Sequence, residues 1–309
     1  MPQRPLLVAD DIENRTDPGK RLSQAIFNVA SSLAQHLKTN VELLYVEDSK
    51  SYPRAKFEYA GIQAWHARHQ EILEKASRRL QVPVRCSLTS GSPAEQILMK
   101  LHSRPAPELV IVGTQGLRGL RRLFIGSVAE EVIRHARRPV MVIGPNARKK
   151  ELSLVGRKQA SILVATDLGK NSRAAERYAL SLAKRIGARV VLFHCLGDNY
   201  HAIVDQSMTS GMIPYNFDNV LDELREDAIK SLKQKTVFFQ KHGVPCEYKV
   251  EESVVLSSCA VYQESDQGYS FVVIGTHGRN VLLQAFIGST ARETILNSSV
   301  PVITVHAGK

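Results

Sequence analysis

Two amphipathic helices give the clearest pattern of apolar and polar positions along the chain. The first places apolar residues 3, 4, 7, 8 and 11 positions after its first member, at Ile26, Val29, Ala30, Leu33, Ala34 and Leu37. The second repeats this spacing, at Ala175, Tyr178, Ala179, Leu182, Ala183 and Ile186. Residues spaced in this way lie on one face of an α-helix, so both segments are predicted to be helices that bury one face.

Short apolar runs alternate with these helical patterns. They are LLVA, VELLYV, LVIVG and PVMVIG in the first half, and ILVA, VVLFHC, FVVIG and PVITV in the second. Runs without polar alternation suit strands buried on both faces, as in a parallel sheet covered by helices. The fold class is therefore α/β: two tandem doubly wound domains, each a five-stranded parallel sheet with helices on both faces.

The second half of the chain repeats the first. Residues 113–127 (GTQGLRGLRRLFIGS) and 275–289 (GTHGRNVLLQAFIGS) align at an offset of 162. Upstream, LLVADD at 6–11 pairs with ILVATD at 162–167, at a different offset, as expected when loops have gained or lost residues. Self-similarity over this length indicates a tandem duplication.

Composition agrees with a globular protein of two domains, because 309 residues with 43% hydrophobic and 23% charged residues can bury two cores. The connection at 146–160 is polar and basic, so domains are predicted at 1–148 and 157–309.

The first apolar run is too short for a signal peptide or a membrane span, so we expect a cytoplasmic protein without membrane insertion. The four cysteines form no C-x-x-C pair and are expected to be reduced packing residues: Cys86, Cys195, Cys246 and Cys259.

The net charge of +11 is concentrated in the first half, where 24 Lys and Arg face 14 Asp and Glu, against 17 and 16 in the second half. A nucleic-acid surface would interleave basic residues with stacking aromatic rings, and only Phe124 lies within the basic stretch. The charge therefore favours a solvated helix face or a surface for a protein partner over nucleic acid.

The repeated glycine segment predicts an anion site. LVIVG ends at Gly113, and Gly126-Ser127 opens a second predicted helix, so glycine-turn and helix N-terminal N–H groups can face one anion. Two alternatives stay open from the residues alone: Ser127 and Ser289 cap their helices, and the glycines only turn the chain.

At this point the chain resembles a known family. The pattern G-x-x-G-x(9)-G-[ST], an aspartate after the first strand and a closing R-P-V-x-V-I strand resemble universal stress proteins of the ATP-binding kind, in tandem, with an adenine nucleotide alpha hydrolase-like fold. The resemblance implies that ATP, with Mg or Mn held through the phosphates, lies across the carboxyl edge of the strands. It also implies an intramolecular pseudo-dimer packed through the last strands, with homodimers and an unknown protein partner as further expectations.

The same resemblance assigns the nucleotide-binding residues. In the first copy they are Asp11, Val46, Gly113, Gln115, Gly116, Arg122, Gly126, Ser127 and Val128. In the second copy they are Asp167, Cys195, Gly275, His277, Gly278, Arg279, Gly288, Ser289 and Thr290. Arg121 and Arg122 favour the first copy as the binding site, whereas Asp10, which stands where the second copy has Thr166, disfavours an anion there.

No catalytic or metal-ligating residues are assigned. The chain has no Walker-type, HIGH-like or SGG-x-DS-like sequence, and His277 is interpreted as a loop histidine. The hypothesis is a nucleotide-binding protein of stress response or signalling that changes its partner interactions. A nucleotide-independent scaffold is the alternative, and a slow ATPase or self-phosphorylation at Ser127 or Ser289 is a weaker one. The segment 197–219 is left open as a lid, an interface or a mobile loop.

Overall fold

The computed structural model describes residues 4–13, 16–48, 59–114, 124–147, 159–210, 217–276 and 287–306. The chain divides into two compact units, Met1–Gly156 and Arg157–Lys309. The predicted domain ends at 148 and 157 fall on residues outside the described ranges and stay predictions. The expected packing of the two halves through their last strands also stays a prediction.

The first unit alternates strands and helices. Its elements are β1 (Leu6–Ala9), α1 (Asp17–Leu37), β2 (Val41–Glu47), α2 (Tyr59–Ser77), β3 (Val84–Ser90), α3 (Pro93–His102), β4 (Leu109–Gly113), α4 (Ser127–His135) and β5 (Val140–Ile143). The strands pair in parallel in the order β3-β2-β1-β4-β5. This is the doubly wound arrangement, in which the order reverses beside the first strand.

The second unit has the same strand order, β8-β7-β6-β9-β10, again in parallel. Its elements are β6 (Ser161–Ala165), α5 (Ser172–Ile186), β7 (Arg189–Cys195), α6 (Gly197–Ser210), α7 (Phe217–Lys241), β8 (Cys246–Glu251), α8 (Ser257–Ser265), β9 (Phe271–Gly275), α9 (Ser289–Asn297) and β10 (Val302–Val305). The predicted fold class is confirmed. The open segment at 197–219 begins with α6, and its residues 211–216 lie outside the described ranges.

The predicted amphipathic helices are α1 and α5, and local sequence explains their ends. The Thr16 hydroxyl accepts the Gly19 N–H at 3.2 Å, which caps the start of α1. Lys38 ends α1 and Gly187 ends α5, each in the left-handed region, with φ of 53° and 66°. The apolar face of each helix is buried against the sheet, so periodicity in the sequence corresponds to packing in the structure.

The strands near the middle of each order are mostly buried, whereas β3 and β8 are not. Every residue of β6 is buried, while β3 and β8 contain only half-buried and exposed residues. Each of these two strands pairs with one neighbour only, so it is covered less completely than the middle strands. Within the described ranges, no helix combines the length and apolar character needed to cross a membrane.

Gly113 is required by packing. A Cβ atom at this last residue of β4 would lie 2.6 Å from Leu22 Cδ2 and 3.2 Å from Ile26 Cδ1. Both side chains belong to the buried face of α1. The glycine therefore lets α1 approach the end of β4, whatever its role towards a ligand.

We expect the substitution Gly113→Ala to lower the free energy of unfolding by about 1–3 kcal/mol, because the added methyl group overpacks against Leu22. Leu22→Ala alone creates a cavity and costs about 2–5 kcal/mol. The double variant should lose less than the sum of the two, since each change relieves the other. Urea unfolding of the four proteins measures this, and strict additivity would show that the contact does not restrict residue 113.

Candidate functional site

The carboxyl ends of the parallel strands bring several predicted residues to one edge of each sheet. In the first unit, Asp11 follows β1, Val46 is the penultimate residue of β2, and Gly113 ends β4. In the second unit, Asp167 follows β6, while Cys195 ends β7 and Gly275 ends β9. Ligands of doubly wound folds bind outside this edge, next to the point where the strand order reverses.

The glycine before α4 is tied to the residue after β4. Gly126 N–H donates to the Thr114 carbonyl oxygen at 2.7 Å, and Thr114 N–H donates to the Ile143 carbonyl oxygen at 3.2 Å. These bonds fix the N-terminus of α4 at the carboxyl edge of the sheet. The first N–H groups of a helix have no acceptor within it, so they are available to an anion there.

The second unit repeats this arrangement. Gly288 N–H donates to the Thr276 carbonyl oxygen at 2.9 Å, and Thr276 N–H donates to the Val305 carbonyl oxygen at 3.2 Å. The N-terminus of α9 is thereby held next to the end of β9. The glycines before α4 and α9 thus have the same structural role in both copies.

The predicted serines begin the helices and do not cap them. Gly126 is the N-cap of α4 and Gly288 is the N-cap of α9, with backbone φ and ψ outside the helical region. Ser127 and Ser289 are the first helical residues, and both are exposed. The alternative in which these serines cap their helices is therefore wrong. Their hydroxyl groups lie in the first helical turn together with half-buried Val128 and Thr290.

The remaining predicted glycine-segment residues lie outside the described ranges. They are Gln115, Gly116 and Arg122 in the first unit, and His277, Gly278 and Arg279 in the second. Their nucleotide contacts stay predictions from the family resemblance.

A buried carboxyl group distinguishes the first unit. Burial raises the pKa of Asp10, the residue directly after β1, to about 6. A hydrogen bond from Ser23 opposes the shift, the neighbouring Asp11 adds to it, and Arg79 weakly opposes it. Near neutral pH this site therefore holds an ionised, desolvated carboxylate, which disfavours a second anion nearby.

A cluster of imidazole and carboxylate groups, absent from the sequence prediction, lies at the end of β2. Glu47 is bound by two histidines of α2, with His69 Nδ1 at 2.6 Å from Oε1 and His66 Nδ1 at 2.6 Å from Oε2. On its other side His69 Nε2 lies 3.2 Å from Glu13 Oε1. The sequence could have indicated that the two histidines act together, because in WHARH they are three residues apart and such residues share one face of a helix.

The equivalent edge in the second unit is held by a different network. Asp167 Oδ1 accepts the Gly169 N–H at 2.8 Å and also binds the Ser172 hydroxyl. Beside it, the Thr166 hydroxyl donates to Glu176, which pairs with Lys235 at 2.6 Å. Asp167 therefore orders the turn into α5 and keeps its carboxylate at the strand edge.

Cys195 has a packing role through its side chain. Its thiol donates to the Val255 carbonyl oxygen at 3.1 Å, and burial raises its pKa to about 11, so it stays a neutral thiol. Two residues further on, Gly197 packs against the same loop, because a Cβ there would lie 1.9 Å from the Val255 carbonyl oxygen. These contacts hold the loop at 252–256, which follows β8, against the end of β7. The equivalent loop of the first unit, after β3, is shorter and contains only residues 91–92.

The ionisable side chains of the described residues include no group of three or more His, Cys, Asp or Glu placed to hold a metal ion.

Comparisons with known proteins agree with the repeated architecture. A family model described as "Universal stress protein family" matches twice, at residues 4–144 and 160–306. The chain is similar to a solved universal stress protein from Archaeoglobus fulgidus, with a TM-score of 0.66 and 15% identity over 100% of this chain and 98% of that one. At this identity the likeness supports the fold alone.

Two further matches cover less. A universal stress protein of Mycobacterium tuberculosis is 28% identical over 203 residues, which are 64% of this chain and 62% of the relative. A universal stress protein solved in complex with cAMP matches 47% of this chain and 99% of its own, with 17% identity and a TM-score of 0.34. That TM-score is too low for its ligand geometry to be carried over.

We expect Asp10→Asn to stabilise the protein above pH 7 by about 3 kcal/mol, because the buried side chain no longer has to ionise. The folded-state pKa of Asp10 is raised, so its contribution is full below pH 4 and is lost as the pH rises through about 6. Urea unfolding between pH 4 and 8 should show a smaller decline in the variant than in the parent. The exposed Asp205→Asn serves as control, and equal declines in all three proteins would contradict the burial of an ionising Asp10.

Proposed function

Because the chain belongs to the universal stress protein family, we propose that it binds an adenine nucleotide, ATP, at the carboxyl edge of its sheets. Binding would change the surface offered to a protein partner in stress response or signalling. Any Mg or Mn ion would be held through the phosphates of the nucleotide. We also propose that the protein is located in the cytoplasm.

The observation that carries this proposal is the paired arrangement of α4 and α9. In both units a glycine N-cap is hydrogen-bonded to the residue after the fourth strand of the unit, which points the first helical turn at the strand edge. The helix dipole and the unpaired N–H groups of that turn favour negative charge. Exposed Ser127 and Ser289 add a hydroxyl donor to each place.

Charge at the strand edge favours the second unit as the stronger site, in contrast to the preference for the first copy that Arg121 and Arg122 indicate from outside the described ranges. The first unit places Asp10, Asp11, Glu13 and Glu47 around the ends of β1 and β2. In the second unit, neutral Thr166 replaces Asp10, and the Asp167 carboxylate is already oriented by Gly169 and Ser172. These bonds hold the Asp167 side chain and the turn around it in one conformation before a ligand arrives, so we infer tighter binding there.

A bound nucleotide would act through the strand edge at which it lies. A ligand shifts an equilibrium only by its differential affinity for two states. Phosphates at the N-terminus of α4 or α9 would favour the conformation of that edge that binds them more tightly. Partner binding at the same edge would then depend on the nucleotide. Homodimerisation, the other expected association, would be tested on the same samples with and without nucleotide.

We expect Gly126→Asp and Gly288→Asp each to weaken ATP binding by its own unit by more than tenfold. An aspartate is a good N-cap, so its carboxylate would occupy the N–H groups of the first turn and repel a phosphate while the helix stays intact. Isothermal titration of the intact chain with Mg-ATP gives the stoichiometry and affinity for each variant, and circular dichroism checks the fold.

The exposed Gln81→Glu adds the same charge at the opposite edge of the first sheet and should leave affinity unchanged. If the double Gly126→Asp, Gly288→Asp variant binds ATP as the parent does, the phosphates do not lie at these helices. If the parent binds no adenine nucleotide, the proposed function fails and the nucleotide-independent scaffold remains.

A further inference from the structure

The imidazole and carboxylate cluster at the end of β2 joins two segments of the first unit that are distant in sequence. Glu13 belongs to the segment after β1, Glu47 ends β2, and His69 of α2 lies between their carboxylates. His66 and the Ser90 hydroxyl also bind Glu47, at 2.6 and 3.0 Å. We call these five residues the β2-end cluster.

His69 is placed so that both ring nitrogens face acceptors. Nδ1 lies 2.6 Å from Glu47 Oε1, and Nε2 lies 3.2 Å from Glu13 Oε1, within ion-pair distance although it makes no hydrogen bond. The side chains of His69 and Glu47 are each only 1% exposed, so water does not screen these charges. An ionised carboxylate only accepts hydrogen bonds. The imidazole ring carries a proton on both nitrogens, and can donate to two carboxylates, only in the imidazolium form.

From this geometry we propose that His69, as imidazolium, clamps Glu13 to Glu47 and thereby makes ligand binding by the first unit dependent on protonation. The inference rests on the proposed nucleotide site, because the segment held by Glu13 also carries Asp11. Protonated His69 keeps that segment at the strand edge. Loss of one proton would leave a lone pair facing a carboxylate and release the segment.

The groups around His69 come from four parts of the unit. Asp11 and Glu13 belong to the segment after β1, Tyr45 and Glu47 to β2, Ser90 to β3, and Trp65 and His66 to α2. Burial and the nearby carboxylates, Glu13 and Asp11 first among them, raise the pKa of Tyr45, so its hydroxyl stays a neutral donor to Glu13 at 3.3 Å. Histidine is the side chain whose charge ordinarily changes near neutral pH. Asp10, next to Asp11 in the same segment, also ionises in this range because burial raises its pKa to about 6, so variants of His69 and Glu13 are needed to isolate the clamp.

The direction of the effect follows from charge. Deprotonation of His69 adds one net negative charge beside the carboxylates at the strand edge and frees Glu13. Both changes disfavour an anionic nucleotide, so affinity in the first unit should fall as the pH rises. In the second unit the equivalent turn is held by Asp167, Gly169 and Ser172, and the buried His194 contacts the Thr166 carbonyl oxygen at 2.8 Å, so the two turns are built from different groups.

The protein contains its own reporter for the first test. Trp65 is the only tryptophan in the sequence, and its ring meets the His69 ring edge-on with centroids 4.5 Å apart. Imidazolium quenches indole emission more strongly than neutral imidazole. We expect the emission of the intact chain to rise between pH 6 and 9, with the rise absent in His69→Gln and retained in the exposed control His135→Gln. A rise that persists in His69→Gln, or no rise in the parent, would overturn the clamp.

The second test uses Glu13→Gln, which can satisfy either protonation state of His69. In the Gly288→Asp background, where the first unit is measured alone, affinity for ATP should fall by up to about tenfold per pH unit across the emission change. Glu13→Gln should remove this dependence, and the exposed control Glu71→Gln should keep it. An unchanged pH dependence in Glu13→Gln would contradict the proposal.

A third measurement separates the clamp from the nucleotide proposal. Without ligand, backbone amides of residues 10–13 should lose protection from hydrogen exchange across the same pH interval, beyond the intrinsic effect of pH, and should already be unprotected in His69→Gln. If no ATP binds at any pH, the proposed function fails while this result still decides the clamp. Protection that is equal in the parent and His69→Gln would overturn it.

Discussion

Parallel pairing of β1 with β2 on one side and β4 on the other is the constraint on which the rest of each unit depends. Parallel neighbours require crossover connections, which place helices on the faces of the sheet and leave its central strands without water on either side. All carboxyl ends then meet at one edge, where the chain leaves the apolar interior. The residues of the candidate sites lie at that edge, just beyond the ends of the buried strands.

Duplication preserved this constraint while the edge chemistry changed. Directly after its first strand, the first unit has the buried carboxyl group of Asp10, and the second has the hydroxyl group of Thr166, which donates to Glu176. Strand order is identical, so the difference alters electrostatics without altering topology. The two copies therefore differ in how readily each accepts an anion, and a single functional label for both would hide that difference.

The sequence predicted the features that repeat along the chain and missed those that depend on contacts between distant segments. Period 3.6 located α1 and α5, and continuous apolar runs located the central strands, because burial on one or both faces leaves a local pattern. Edge strands β3 and β8 left no such run, since they are only partly covered. His69 and Glu13 are separated by 56 positions, so only the fold could reveal that they meet.

Glycine illustrates why a motif and its physical cause must be separated. Gly113 begins the repeated segment that suggested phosphate binding, yet a side chain there would also crowd Leu22. Its recurrence as Gly275 is therefore weaker support for a ligand than it seemed from the sequence. Gly126 and Gly288 carry more weight, because their hydrogen bonds direct a helix N-terminus to the strand edge in both units. Oriented N–H groups at the helix N-termini therefore support an anion site more strongly than the glycines themselves do.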